Sequence, residues 1–88
     1  RLNVAGARAE LIVRRLPPPS AGRIYEVWIE RRHNAPSPRT LFGVTASGAA
    51  DVRVPGDVRG ASTIMVTQER AGGSLLPTGA PVIIASLS

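Results

Sequence analysis

The chain of 88 residues contains no cysteine, no lysine and one histidine. Without cysteine it can form neither a disulfide nor a thiolate metal site, but its compartment stays open, because many exported bacterial domains also lack cysteine. His33 has no second His or Cys with which to hold zinc or copper, so we expect it to be a solvated loop residue. A single histidine without a G-x-S-x-G motif also leaves no Ser-His-Asp triad. The sequence therefore predicts no catalytic residue, no metal site and no cofactor, and it indicates that the chain is not an enzyme.

Long apolar segments are also absent. The run Val82–Ala85 near the end of the chain is far shorter than the roughly 20 residues that a membrane-spanning helix needs. No signal peptide is present, and the chain starts at Arg1 without Met. We therefore expect a fragment of a longer protein whose membrane anchor lies upstream.

The charge is unbalanced, with a net value of +5, and all 11 basic residues are arginine. Such a surface suits an anionic lipid, a cell-wall polymer or a nucleic acid, but a GC-rich genome would produce the same composition and is the simpler explanation. Only Arg14-Arg15 and Arg31-Arg32 are adjacent, and three aromatic residues cannot build a stacking platform for bases. We expect no nucleic-acid partner.

The segments that remain alternate between apolar and polar residues, which is typical of half-buried strands. Turn residues separate six of them, and a short seventh could form at the N-terminus: 9–15, 24–31, 40–44, 50–54, 62–68, 82–87 and 2–4. No stretch has a helical period. The sequence predicts a single all-β domain over residues 1–88, an antiparallel two-sheet β-sandwich of immunoglobulin-like or Greek-key topology with six to seven strands.

The strongest predicted strand, 24–31, places Tyr25 toward the core and Glu26 and Glu30 toward solvent. Trp28 then falls on the polar face. It could be exposed there as an anchor for a partner, or a loop could fold over that face and bury it; we favour burial.

Two loop motifs follow the last long strand. Gly72 and Gly73 are best explained by a turn that requires positive φ, since no helix or lysine follows as a phosphate-binding loop would need. The segment Pro77-Thr78-Gly79-Ala-Pro is either a recognition loop or a rigid connection that caps a sheet end.

An ordered set of short motifs resembles the extracytoplasmic C-terminal domain of anti-sigma-K factors (RskA-like). The set runs from about residue 9 to 87 and consists of Ala9-Glu-Leu-Ile-Val13, Leu16-Pro-Pro18, Ala21-Gly-Arg23, Tyr25-Glu-Val-Trp28, Leu41-Phe42, Pro55-Gly-Asp57, Val66-Thr67, Ala71-Gly-Gly-Ser74 and Pro77-Thr-Gly79. Four positions depart from the pattern: Arg15 where Gly is usual, Glu26 where Gln is common, and Arg70 and Leu75 where Pro is common. The resemblance implies Tyr25, Trp28, Gly72, Gly73, Ser74, Pro77, Thr78 and Gly79 as partner-binding or family-motif positions.

The resemblance also implies a function. In similar proteins a cytoplasmic helical domain, absent here, holds an extracytoplasmic-function sigma factor inactive, and a transmembrane helix links it to a β domain outside the membrane. A site-one protease then starts the stepwise proteolysis that releases the sigma factor. The expected location is thus the cell membrane, with this domain on the extracytoplasmic side. The alternative is a secreted or wall-attached β-sandwich module for adhesion or for binding anionic wall polymer or lipid.

Overall fold

A computed structural model describes residues 1–87, and in that range it contains seven β-strands and no helix. The strands are β1 Leu2–Ala5, β2 Arg8–Val13, β3 Arg23–Arg31, β4 Ser37–Phe42, β5 Ala50–Val54, β6 Ala61–Arg70 and β7 Ile83–Ser86. The all-β prediction is confirmed, including the short strand at the N-terminus. Since every regular element in the described range is a strand, that range also holds no helix able to cross a bilayer.

The strands form two antiparallel sheets, one of three strands in the order β1-β2-β5 and one of four in the order β4-β3-β6-β7. The chain moves between the sheets after β2, after β4 and after β5, so that sequential neighbours are often in different layers. This interleaving is the Greek-key arrangement of an immunoglobulin-like sandwich. The predicted two-sheet sandwich is confirmed.

The core lies between the sheets and is filled by alternate side chains from each strand. It consists of Ala9, Leu11, Val13, Val52 and Val54 from the smaller sheet, Tyr25, Val27, Ile29, Phe42, Ile64 and Val66 from the larger one, and Val58 from the β5–β6 connection. Most are β-branched or aromatic, types that pack well on a pleated surface. Full burial of each larger apolar side chain contributes about 1.5–3 kcal/mol. The inward positions predicted in 24–31, 50–54 and 62–68 are confirmed.

One local prediction was wrong. Strand β4 starts at Ser37 instead of Thr40 and includes Pro38, which an edge strand tolerates because its outer side needs no ladder hydrogen bond. The connection between β5 and β6, residues 55–60, contains no regular element. It runs irregularly so that Val58 enters the core, where its N–H donates to the carbonyl of Ala7 over 2.9 Å.

Candidate functional site

The four-stranded sheet has a core face and an outer face, and a row of polar side chains is buried on the outer one. Strands β3 and β6 supply them, with Glu26 directly opposite Thr67. Glu26 is 4% exposed, and Thr67 and Glu69 are completely buried. The prediction that Glu26 points to solvent was therefore wrong. Glu26 does lie on the outer face of the sheet, as predicted, but another segment of the chain covers that face. Glu30, at the end of the same row, is half-buried.

The cover is the segment of residues 71–82 between β6 and β7, here called the covering loop. It begins with a turn in which Gly72 and Gly73 have φ of 94° and 84°, as the sequence predicts for this Gly-Gly pair. A Cβ on Gly73 would lie 3.2 Å from both carboxylate oxygens of Glu26 and 3.0 Å from Leu41. The next residue, Ser74, donates its N–H to Glu26 Oε1 over 2.9 Å. Glycine is needed here for the turn and for the close approach of the loop to the sheet.

The loop makes its second attachment at Pro77-Thr78-Gly79. Thr78 donates to Glu69 twice, from its N–H over 3.2 Å and from its hydroxyl over 2.6 Å. Pro77 is half-buried and Gly79 is exposed. The sequence left two alternatives for this segment, a recognition loop and a rigid connection that caps a sheet end. The contacts match the rigid connection, but the group that it caps is the buried carboxylate of Glu69.

Trp28 belongs to the same buried row. It is fully buried despite lying on the face opposite the core, and its indole N–H donates to Thr67 Oγ1 over 2.8 Å. The Thr67 hydroxyl in turn donates to Glu69 Oε2 over 2.5 Å. A hydrogen-bond relay thus joins Trp28, Thr67, Glu69 and the covering loop, and the predicted burial of Trp28 is correct.

The two buried carboxylates have opposite electrostatic character. Burial opposes the ionisation of Glu69, but the hydrogen bonds from Thr67 and Thr78 outweigh it and lower its pKa to about 2. The Ser74 hydroxyl assists in this, although it is buried without a hydrogen-bond partner of ordinary geometry. Burial raises the pKa of Glu26, the Ser74 N–H opposes that rise, and the charge of Glu69 adds to it. Both carboxylates therefore hold the covering loop, but only Glu69 is stabilised as an anion.

Tyr25 is the one predicted family-motif residue that lies on the core face. Its ring stacks on Phe42 with centroids 5.5 Å apart, and its hydroxyl donates to the Pro17 carbonyl over 2.5 Å. Leu16 beside it donates its N–H to the Gly48 carbonyl. Tyr25 thus anchors the Leu16-Pro-Pro18 motif to the sandwich, and burial raises its pKa.

Arg15, just before that motif, has a φ of 61°. This left-handed conformation costs a non-glycine residue about 1–2 kcal/mol. The family resemblance implies Gly at this position, and Gly adopts a positive φ without this strain.

The structure gathers Trp28, Gly72, Gly73, Ser74, Pro77 and Thr78 in one place, leaves Gly79 at its rim and puts Tyr25 on the other face of the sheet. Thr67 and Glu69 complete the cluster and were not predicted as site residues. The alternation of β6 puts both on the face of Trp28 once Ile64 and Val66 point inward, but it does not show that this face is covered.

The hydrogen bonds of the cluster attach the covering loop to the outer face of the four-stranded sheet. Within residues 1–87 no three His, Cys, Asp or Glu side chains come together in a way that could hold a metal. His33 is exposed in the turn after β3 with a φ of 63°.

Comparison with known families assigns these motifs. The model of the family "anti-sigma-K factor rskA, C-terminal" matches residues 2–82, which include both attachments of the covering loop. No curated protein and no solved structure matches the chain. Since the family model spans nearly all of the sequence, from β1 to the end of the covering loop, the chain belongs to the family of anti-sigma-K factor C-terminal domains.

Proposed function

We propose that this chain is the extracytoplasmic regulatory domain of a membrane-anchored anti-sigma factor. In this proposal a cytoplasmic domain elsewhere in the protein inhibits an extracytoplasmic-function sigma factor, and a transmembrane helix connects the two. The domain acts by folding and binding and not by catalysis. The family match over residues 2–82 is the observation that carries the proposal.

The domain's role is to control access of a site-one protease to the chain near Arg1. Support comes from the hydrogen bonds at that end: the Arg1 nitrogen donates to the Ile12 carbonyl over 2.6 Å, and the Ile12 N–H donates to the Arg1 carbonyl over 2.7 Å. Proteases bind extended chain that is free of other pairing, so cleavage here requires β1 to separate from β2. Packing of the sandwich would then set the rate of cleavage.

The location is tested first, in native cells with an antibody to this domain. Fractionation should give a membrane-bound polypeptide about 100 residues or more longer than the domain, as expected if a helical domain and a spanning helix of about 20 residues precede it. Only the β domain should be accessible to protease from outside. A soluble secreted chain barely larger than the domain would refute the proposal and favour the wall-binding alternative.

Protease shielding is tested in the full-length protein with two matched substitutions. Val66→Asp places a charge at a completely buried position, whereas Leu75→Asp makes the same kind of change at a side chain that is 87% exposed. Limited proteolysis should cut Val66→Asp near Arg1 much faster than wild type and leave Leu75→Asp at the wild-type rate. If the two variants are cut equally fast, packing does not control access.

A further inference from the structure

The outer face of the three-stranded sheet carries a cluster of polar side chains that no other layer covers. Glu10 on β2 lies directly opposite Asn3 of β1 and Arg53 of β5, so these three share the outer face, and Arg8 shares it by alternation along β2. Asn3, Arg8 and Arg53 are exposed, and Glu10 is half-buried.

These side chains line a groove of about 700 Å³ at one end of the sheet. The groove is also lined by the small side chains of Ala5 and Ala7 and by residues 55–57, which follow β5. The volume lies within the range of about 300–1,000 Å³ that small-ligand sites occupy. The groove is therefore large enough for one or two sugar-sized units.

Among the groove side chains that form no ion pair, positive charges outnumber negative ones. The ion pairs of the described residues are Arg14–Asp51 and Arg59–Asp57, so neither Arg8 nor Arg53 forms one. Asp57, which also borders the groove, is bound by Arg59, whose hydrogen bonds lower its pKa to about 2. Arg8 and Arg53, on neighbouring strands, therefore line the groove without an ion-pair partner. The carboxylate of Glu10 lies on the same face, on the residue directly opposite Arg53.

This combination selects a class of ligand. Arg8 and Arg53 occupy diagonal positions on neighbouring strands, where backbones lie about 7–8 Å apart, so their guanidinium groups can contact carboxylate or phosphate groups spaced along one ligand. A ligand with anionic groups alone would be repelled by Glu10, whereas a hydroxyl can donate to it. A flat membrane would not enter a groove, and no aromatic side chain is present on which a base could stack.

We propose that this groove binds an acidic glycan, with the anionic groups of the sugar on Arg8 and Arg53 and its hydroxyls on Glu10 and Asn3. This inference does not depend on the proposed anti-sigma role. It gives the domain a ligand of defined chemistry and assigns it to the sheet opposite the covering loop.

Isothermal titration of the chain with polygalacturonate, with neutral dextran as the blank, tests the proposal. Arg8→Gln/Arg53→Gln should bind the acidic polymer about tenfold more weakly, as loss of two exposed charge contacts implies. The control is Arg23→Gln/Arg70→Gln, which removes the same charge from another exposed pair of arginines that face each other across β3 and β6. It should stay within about twofold of wild type. Equal weakening in both variants, or no binding by wild type, would overturn the site.

A second variant separates a glycan from any other polyanion. Glu10→Gln removes a negative charge, so binding of inorganic polyphosphate should become tighter because repulsion is lost. Binding of polygalacturonate should not improve, since the carboxylate that accepts sugar hydroxyls is lost at the same time. If the substitution tightens the binding of both polymers equally, the groove recognises charge alone and the glycan assignment is wrong.

Discussion

Thr67→Val tests whether the hydrogen-bond relay under the covering loop stabilises the fold. The substitution keeps the shape, the β-branch and the strand preference of residue 67 and removes only the hydroxyl. That hydroxyl accepts from the Trp28 indole over 2.8 Å and donates to Glu69 over 2.5 Å, in a place that solvent does not reach. The change is thus confined to two buried hydrogen bonds.

The expected loss follows from those two bonds. An orphaned buried indole N–H costs about 1–3 kcal/mol, and a hydrogen bond to a charged group contributes about 1.5–3 kcal/mol. Because Thr78 still donates to Glu69, we expect the lower part of the sum, a loss of about 3 kcal/mol in the free energy of unfolding. For a domain of this size that lowers Tm by at least about 12 °C. Acid unfolding should also begin at a higher pH, since one of the groups that lower the pKa of Glu69 is gone.

Thermal unfolding followed by circular dichroism measures the loss. Thr63→Val is the matched control, because Thr63 lies on the same strand and the same face, is half-buried, and has no side-chain hydrogen bond in the described structure. It should stay within about 0.5 kcal/mol of wild type. A Thr67→Val protein that melts together with Thr63→Val would show that the relay contributes nothing to stability.

Three further predictions use the same melting assay. Glu26→Gln should be more stable than wild type at pH 7, because the amide still accepts from Ser74 and burial no longer opposes a charge; the gap should close as pH falls through the raised pKa of Glu26. A difference in stability that persists at low pH would contradict this. The stabilisation contributed by Glu69 should be lost only as pH falls from 4.5, the ordinary pKa of the group, to about 2, its pKa in the folded protein. Gly73→Ala should be about 1–2 kcal/mol less stable than Gly72→Ala, since both have positive φ but only Gly73 faces Glu26 and Leu41; equal losses would mean that the loop yields. Arg15→Gly should be neutral or stabilising by up to about 1 kcal/mol, because glycine relieves the left-handed strain at a cost in chain entropy, and a clear loss of Tm would refute that account.

Alternation along the chain was sufficient to predict the strands and their inward side chains, because a half-buried strand records its core face in every second residue. It assigned Trp28 and Glu26 to the outer face correctly. Alternation could not predict that the covering loop buries that face. The bond between Ser74 and Glu26 joins residues 48 positions apart, and no local pattern encodes such a contact.

The same limit explains why Thr67 and Glu69 were missed. A buried carboxylate without a cationic partner is rare, and from sequence alone a glutamate at the end of a strand is expected in solvent. Arg15 shows the complementary case. The resemblance indicated Gly at this position, and the backbone supplies a physical reason, since residue 15 has a left-handed φ of 61°.

The burial of Trp28 has a practical consequence for observing this protein. It is the sole tryptophan of the chain, and its indole is bonded within the cluster that the covering loop closes. Its fluorescence emission therefore reports on one place only. Any release of the loop that lets water reach the indole will shift that emission to longer wavelength, while the circular dichroism of the sheets is unchanged. Opening of the loop and unfolding of the sandwich can therefore be followed separately in the unlabelled protein.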